Sequence, residues 1–183
     1  MVIRYIGFFL CMLLSVSVLA QAPQENKSHH DVDNKKALQN AEAFAKANPK
    51  NVDAFINLTR KRIQSGKAKS AVDSAEQAVE LAPNNAQAQF WLGNAYGTYI
   101  GEVGMLSKMS IAPKLRDAFQ ATVKLDPNNL DARESLVQFY LQAPAVVGGG
   151  KDKAQLQAQE IAKRDVARGH LAQAQIYLAD KKN

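Results

Sequence analysis

The chain has 183 residues, 46% of them hydrophobic, and a formal net charge of +6, so it can bury one sizeable core. Its single cysteine, Cys11, lies within the first twenty residues, which excludes disulfide and thiol chemistry from the remainder. The charge is uneven: residues 35–69 hold nine basic and two acidic side chains, a net of +7, while residues 70–183 hold twelve of each and balance.

Arg4, an apolar run from Ile6 to Leu14 extended by Val16 and Val18, and the closing Val18-Leu19-Ala20 predict an export signal over residues 1–20, cut after Ala20. The apolar part is too short for a membrane span, so no stable membrane insertion is expected after cleavage. The mature protein is accordingly expected to be periplasmic or secreted, where nucleic acid is not an expected partner. Phe9-Leu10 ahead of Cys11 argues against a lipid-modified cysteine. Residues 21–30 are polar, lack an apolar period and read as a flexible tether. His29-His30-Asp31 are adjacent on that tether with no third histidine nearby, a poor arrangement for a metal, and none is expected.

From residue 31 to 180 one domain is predicted, built from repeats. Three stops share one chemistry: Asn48-Pro49-Lys50-Asn51, Ala82-Pro83-Asn84-Asn85 and Asp126-Pro127-Asn128-Asn129. Each proline blocks continuation of the preceding helix, and the asparagine two residues on is suited to cap the next. Helical periodicity between the stops predicts helices over 31–47, 52–65, 67–81, 86–98, 113–125, 130–142, 151–164 and 169–178. Their inner stripes are expected at Ala37, Ala41 and Phe44, then Phe55, Leu58 and Ile63, then Ala71, Ala75 and Ala78. Further on they are expected at Leu115, Phe119 and Thr122, at Leu136 and Tyr140, and at Ala154, Ala158 and Ile161. Leu92 is expected at the centre of the stack.

Asn84-Asn85-Ala86, Trp91-Leu92-Gly93-Asn94-Ala95-Tyr96, and the series Ala71, Ala75, Ala78, Pro83 resemble the tetratricopeptide repeat consensus, over about residues 34–166. Arg62 stands where that family has an aromatic, Thr59 where it has glycine, and Val166 where it has the last proline. The resemblance implies an all-α fold, a right-handed α-α superhelix. It would hold about three helical hairpins, with an N-terminal half-repeat and a C-terminal capping helix. It also implies that the first helix of each hairpin lines a concave groove. That places Asp53, Ile56 and Arg60, then Gln87, Phe90 and Asn94, then Asp131, Glu134 and Gln138 on the groove, each trio on one helix face. Within these, Ile56, Arg60, Phe90, Asn94, Glu134 and Gln138 are the candidate partner-binding residues. The run from Tyr140 through Gly148-Gly149-Gly150, with Arg168-Gly169-His170, resembles a subgroup of small exported bacterial repeat proteins.

Two units exceed the 34-residue period. The second carries ten extra residues within 99–112, whose Ile100, Val103, Met105, Leu106, Met109 and Ile111 are too apolar for a free loop. They either pack onto the second repeat or partly cover the groove as an adaptable, Met-rich contact. Pro113 either opens the following helix or kinks a longer one starting near Met105. The third unit carries five extra residues around 143–150. Its triple glycine before Lys151 lacks the spacing of a phosphate loop and is read as a turn needing positive φ.

No nucleophile arrangement emerges: His170 is the one histidine beyond the tether, and Ser110 with Lys114 is a weak pair. The expectation is a non-catalytic scaffold without cofactor, binding a peptide or protein of the cell envelope. Two alternatives stay open: a binder of an anionic envelope polymer or lipid through residues 35–69, and an accessory subunit of an envelope enzyme.

Overall fold

A computed structural model describes residues 24–181, with side-chain surroundings from Val32 onward. The export signal expected over residues 1–20, and the first residues of the tether, lie outside it. Eight α-helices occur among the described residues: α1 (Gln24–Ala47), α2 (Val52–Gln64), α3 (Ala68–Leu81), α4 (Ala86–Ile100), α5 (Met105–Leu125), α6 (Leu130–Gln142), α7 (Lys151–Ala162) and α8 (Val166–Asp180). A single 3-10 turn, Ala145–Val147, interrupts the α6–α7 connection.

Each helix packs on its sequence neighbours, giving the hairpins α2/α3, α4/α5 and α6/α7. α1 stands against α2 as a half-repeat, and α8 closes the far end against α7 and α6. The result is the stacked α-α superhelix expected. The boundaries follow from local chemistry. Asn51 Oδ1 accepts from the Ala54 amide at 3.1 Å, Asn85 Oδ1 from Gln87 and Ala88 at 2.9 and 3.1 Å, and Asn129 Oδ1 from Ala132 at 2.9 Å. The asparagine after each proline stop is therefore the N-cap of α2, α4 and α6.

The inner stripes of α3, α5, α6 and α7 are buried as the periodicity predicts: Ala71, Ala75 and Ala78, then Leu115, Phe119 and Thr122, then Leu136 and Tyr140, then Ala154, Ala158 and Ile161. Five readings need correction. Helix α1 starts at Gln24, so most of the expected tether is helical; residues 24–33 contain no glycine or proline to stop a helix propagating outward from its packed part. On α1 the buried residues are Leu38, Ala41 and Ala45, whereas Phe44 is 51% exposed, because the contact with α2 is set by the 38–41–45 spacing. Helix α5 begins at Met105 and carries Pro113 in its interior, so the 113–125 range is too short and the second alternative for the proline, a longer helix from near Met105, holds. Leu92 is only partly buried at the edge of the main core, whose centre is held by the fully buried Leu136 and Val137. Helix α8 also starts three residues early, at Val166, capped by Asp165 Oδ1 on the Arg168 amide at 2.9 Å.

One contact recurs down the stack. Tyr96 donates from its hydroxyl to Glu76 Oε1 at 2.6 Å, and Gln120 Nε2 donates to the Tyr140 hydroxyl at 2.8 Å, both across twenty residues. Arg62, the residue in the aromatic's place, makes the equivalent approach to Glu42 at 3.9 Å. The substitution keeps the tie between successive repeats and changes its chemistry from hydroxyl to ion pair. Burial and the Glu76 carboxylate together push the Tyr96 hydroxyl well above its ordinary pKa. Thr59, in the glycine position, is fully buried, and its hydroxyl lies 2.9 Å from that of Ser74 while donating to the Phe55 carbonyl at 2.8 Å. Gly93, the matching position in the second repeat, lies so close to Phe119 that an added Cβ would sit 2.7 Å from the ring. In the first repeat Thr59 faces the small Ser74, and in the second Gly93 faces the large Phe119, so bulk moves from one partner helix to the other.

Candidate peptide-binding groove

The first helices of the hairpins form one layer, in which α2 packs beside α4 and α6 beside α8. Between α4 and α6 that side-by-side packing is at most slight, and α5 and α6 pack less extensively than α3 and α4. The second insertion explains the gap. Part of it joins the core: Ile111 and Ala112 are buried in the main cluster, and Ile100 and Val103 pack against that cluster. The rest becomes the first two turns of α5, where Met105 and Leu106 are 74% and 89% exposed. The packing alternative thus holds for Ile111 and Ala112, and Met105 and Met109 line a hollow between α4 and α6.

A hollow of about 730 Å³ opens where α4 and α6 part. Asn94, Thr98 and Ile100 of α4, Met105, Lys108 and Met109 of α5, and Ser135, Gln138 and Gln142 of α6 line it, over a floor of Leu115, Phe119 and Phe139. The third repeat's extra residues complete the wall through Ala143, Pro144 and Val147. That segment is held in place by backbone bonds: Gly149 and Val147 donate to the Pro144 carbonyl at 3.1 Å, and Gly150 donates to that of Tyr140 at 2.9 Å. Arg116 Nη1 of α5 donates to the Val147 carbonyl at 3.1 Å, tying the third repeat's extra segment to α5. Gly148 has φ +99, as its turn reading requires, and a Cβ on Gly149 would lie 1.8 Å from the Ala143 oxygen.

The residues expected on the groove fall into three settings. Asn94 and Gln138 face each other across the hollow; Asn94 Nδ2 donates to the Phe90 carbonyl at 2.8 Å. Arg60 and Phe90 gather around Trp91: the Arg60 guanidinium carbon lies 5.3 Å from the indole centroid, and Phe90 meets Trp91 edge-on at 5.6 Å. Phe90 is partly buried and also tilts against Phe119 at 6.0 Å, so it is as much core as surface. Ile56 is 9% exposed and packs with Ala78 and Ala88, inside the fold rather than on the groove. Asp53 and Gln87 are exposed. Glu134 and Asp131 are both engaged by Arg168 of α8, Glu134 Oε1 at 2.6 Å from Nε. These two carboxylates hold the Arg168 pKa above its ordinary value.

Trp91, Lys108 and Arg168 are the groove residues that sequence reasoning missed. Arg168 had a signal: it lies one 34-residue period after Glu134, which places it at the same position of the next helix in the layer. In the basic stretch, Lys35, Lys36, Lys46, Lys50 and Lys67 are exposed, while Lys69 pairs with Asp73 and Arg62 with Glu42. Ser110 donates to the Ser107 carbonyl at 2.9 Å, Lys114 Nζ lies 5.9 Å from the Tyr96 ring centroid, and Lys151 pairs with Asp180. Among the described residues no group of three His, Cys, Asp or Glu is placed to hold a metal, and no helix is long and apolar enough to cross a membrane.

No protein-family model matches the sequence, and no curated protein matches it. Solved structures do share its fold. A thermophilic TPR protein, TTC0263 from Thermus thermophilus, superposes with TM-score 0.64 at 17% identity, over 84% of this chain and 78% of that one. A MamA protein superposes with TM-score 0.62 at 22% identity, over 85% of this chain and 78% of its own. The fold is therefore that of the tetratricopeptide repeat proteins, as the second repeat's residues implied.

Proposed function

We propose that the protein is a non-catalytic scaffold that binds a peptide or protein segment along its inner layer. The observation that carries this reading is the hollow between α4 and α6, which combines an apolar floor with the amide side chains of Asn94, Gln138 and Gln142. Amides of this kind pair with the backbone of an extended segment, and an apolar floor accepts its side chains. Arg60 stacked on Trp91 extends the same layer toward the first repeat. The partner is placed in the cell envelope because residues 1–20 read as an export signal, and the mature chain is expected to start at Gln21.

Photocrosslinking residues incorporated at Arg60 or Gln138, on the inner layer, and at Glu80 or Lys124, elsewhere on the surface, test the reading in living cells. Protein adducts confined to Arg60 and Gln138 are expected. Equal adducts from all four positions, or none from the inner pair, would refute it. N-terminal sequencing of protein from an envelope fraction tests the location; a chain that retains residues 1–20 in the cytoplasm would overturn it.

A further inference from the structure

The proposed scaffold function leaves the chemistry of the ligand open, and the hollow narrows it. Its lining carries one formal charge, Lys108, which has no ion-pair partner among the described residues. No carboxylate among the described residues forms an ion pair with Lys108: Asp131 and Glu134 on the inner layer are held by Arg168, and Glu102, the acidic residue of the same insertion, makes no ion pair with it. Around Lys108 the wall is Met105, Met109 and Ile100, flexible or aliphatic side chains that adapt to apolar groups of varied shape. Lys108 and both methionines belong to the insertion, so the repeat framework itself does not supply this combination. The Lys108 side chain is partly buried on the wall, where a carboxylate gains more from it than in bulk water.

Resting on the scaffold reading, we propose that the α4–α6 hollow takes a peptide segment in which an aspartate or glutamate is flanked by large apolar residues, the carboxylate at Lys108 and the apolar side chains between Met105, Met109 and the Phe119–Phe139 floor. Charge complementarity selects this occupant over a basic or uncharged segment. The size of the hollow suits two or three side chains rather than a folded surface.

A displayed library of random seven-residue peptides, selected on the full chain, tests it. Enriched peptides are expected to carry Asp or Glu beside two or more of Leu, Ile, Met, Phe and Trp. Synthesised winners should bind at least tenfold more weakly to Lys108→Glu, and as well to Lys108→Arg as to the parent. Selection repeated on Lys108→Glu should recover Lys or Arg in place of the acid. Met105→Gln with Met109→Gln should weaken the winners without altering the helical circular dichroism. Winners without an acidic residue, or indifferent to Lys108→Glu, overturn the proposal. If such winners are lost in Arg60→Ala, the inner layer still binds peptide and only the assignment to this hollow falls. Displacement of winners by dodecanoate at lower concentration than the peptides themselves require would assign the hollow to a lipid-like acid and overturn it as well.

Discussion

Replacing Leu136 by alanine should be among the most damaging core truncations in this protein, and replacing Leu92 a mild one. Leu136 is 0% exposed and sits on α6 in the cluster shared with Tyr96, Phe119 and Ile161. Three carbons are lost, at about 0.8 kcal/mol for each buried methylene, which gives about 2.4 kcal/mol before any cavity is counted. The neighbours are anchored from α5 and α7 on opposite sides, so collapse into the space is limited, and the total should reach about 3–5 kcal/mol. Leu92 loses the same carbons from a partly exposed site, so about 1–2 kcal/mol is expected. Urea unfolding followed by far-UV circular dichroism measures both. An array of repeats is held by neighbour contacts, so hydrogen exchange should show Leu136→Ala loosening α6, α7 and α8 before α2 and α3. A cost below about 1 kcal/mol for Leu136→Ala, or a larger one for Leu92→Ala, would mean that the centre of the stack has been misplaced.

Gly93→Ala should destabilise the fold although alanine favours helix by about 1 kcal/mol, because its Cβ would meet the Phe119 ring at 2.7 Å and overpacking costs about 1–3 kcal/mol; a raised melting temperature would contradict this. Thr59→Val and Ser74→Ala should each cost about 1 kcal/mol by removing the buried hydroxyl–hydroxyl bond, while the double variant should cost less than their sum. Additivity in that cycle would show that the two hydroxyls do not interact. The Glu160 carboxylate, hydrogen-bonded by Lys163 and Arg164, is held down at about 2 against an ordinary 4.5. A depressed carboxylate stabilises the fold above its unfolded pKa and loses that contribution as pH falls from about 4.5 toward 2. NMR titration that finds Glu160 near 4.5 would refute the pairing.

Much of the fold was legible because the signals are local. Proline stops followed by capping asparagines fix where α2, α4 and α6 begin, and alanine stripes fix which faces close. What failed was tertiary in origin. The polar stretch before Asp31 lacks an apolar period, yet helix needs only the absence of breakers once an adjoining segment is docked. Phe44 matched the stripe by residue type, but no opposing helix among the described residues covers it. Ile56 was assigned to the groove by analogy of position, and the small residues Ala78 and Ala88 instead leave room for it in the core. The hollow itself was not predictable. It is lined by residues of both insertions, and only the folded chain shows that Arg116 of α5 holds the 143–150 segment at its wall.

The engagement of both acidic residues of α6 by Arg168 has a consequence for orientation. Arg60 stays accessible at one end of the inner layer, and Lys108 stands midway, while at the far end two carboxylates against one guanidinium leave a negative excess. An extended segment lying along this surface therefore meets unlike surroundings at its two termini. The two opposite threadings differ in energy, and the same strand inserted backwards would lose its match.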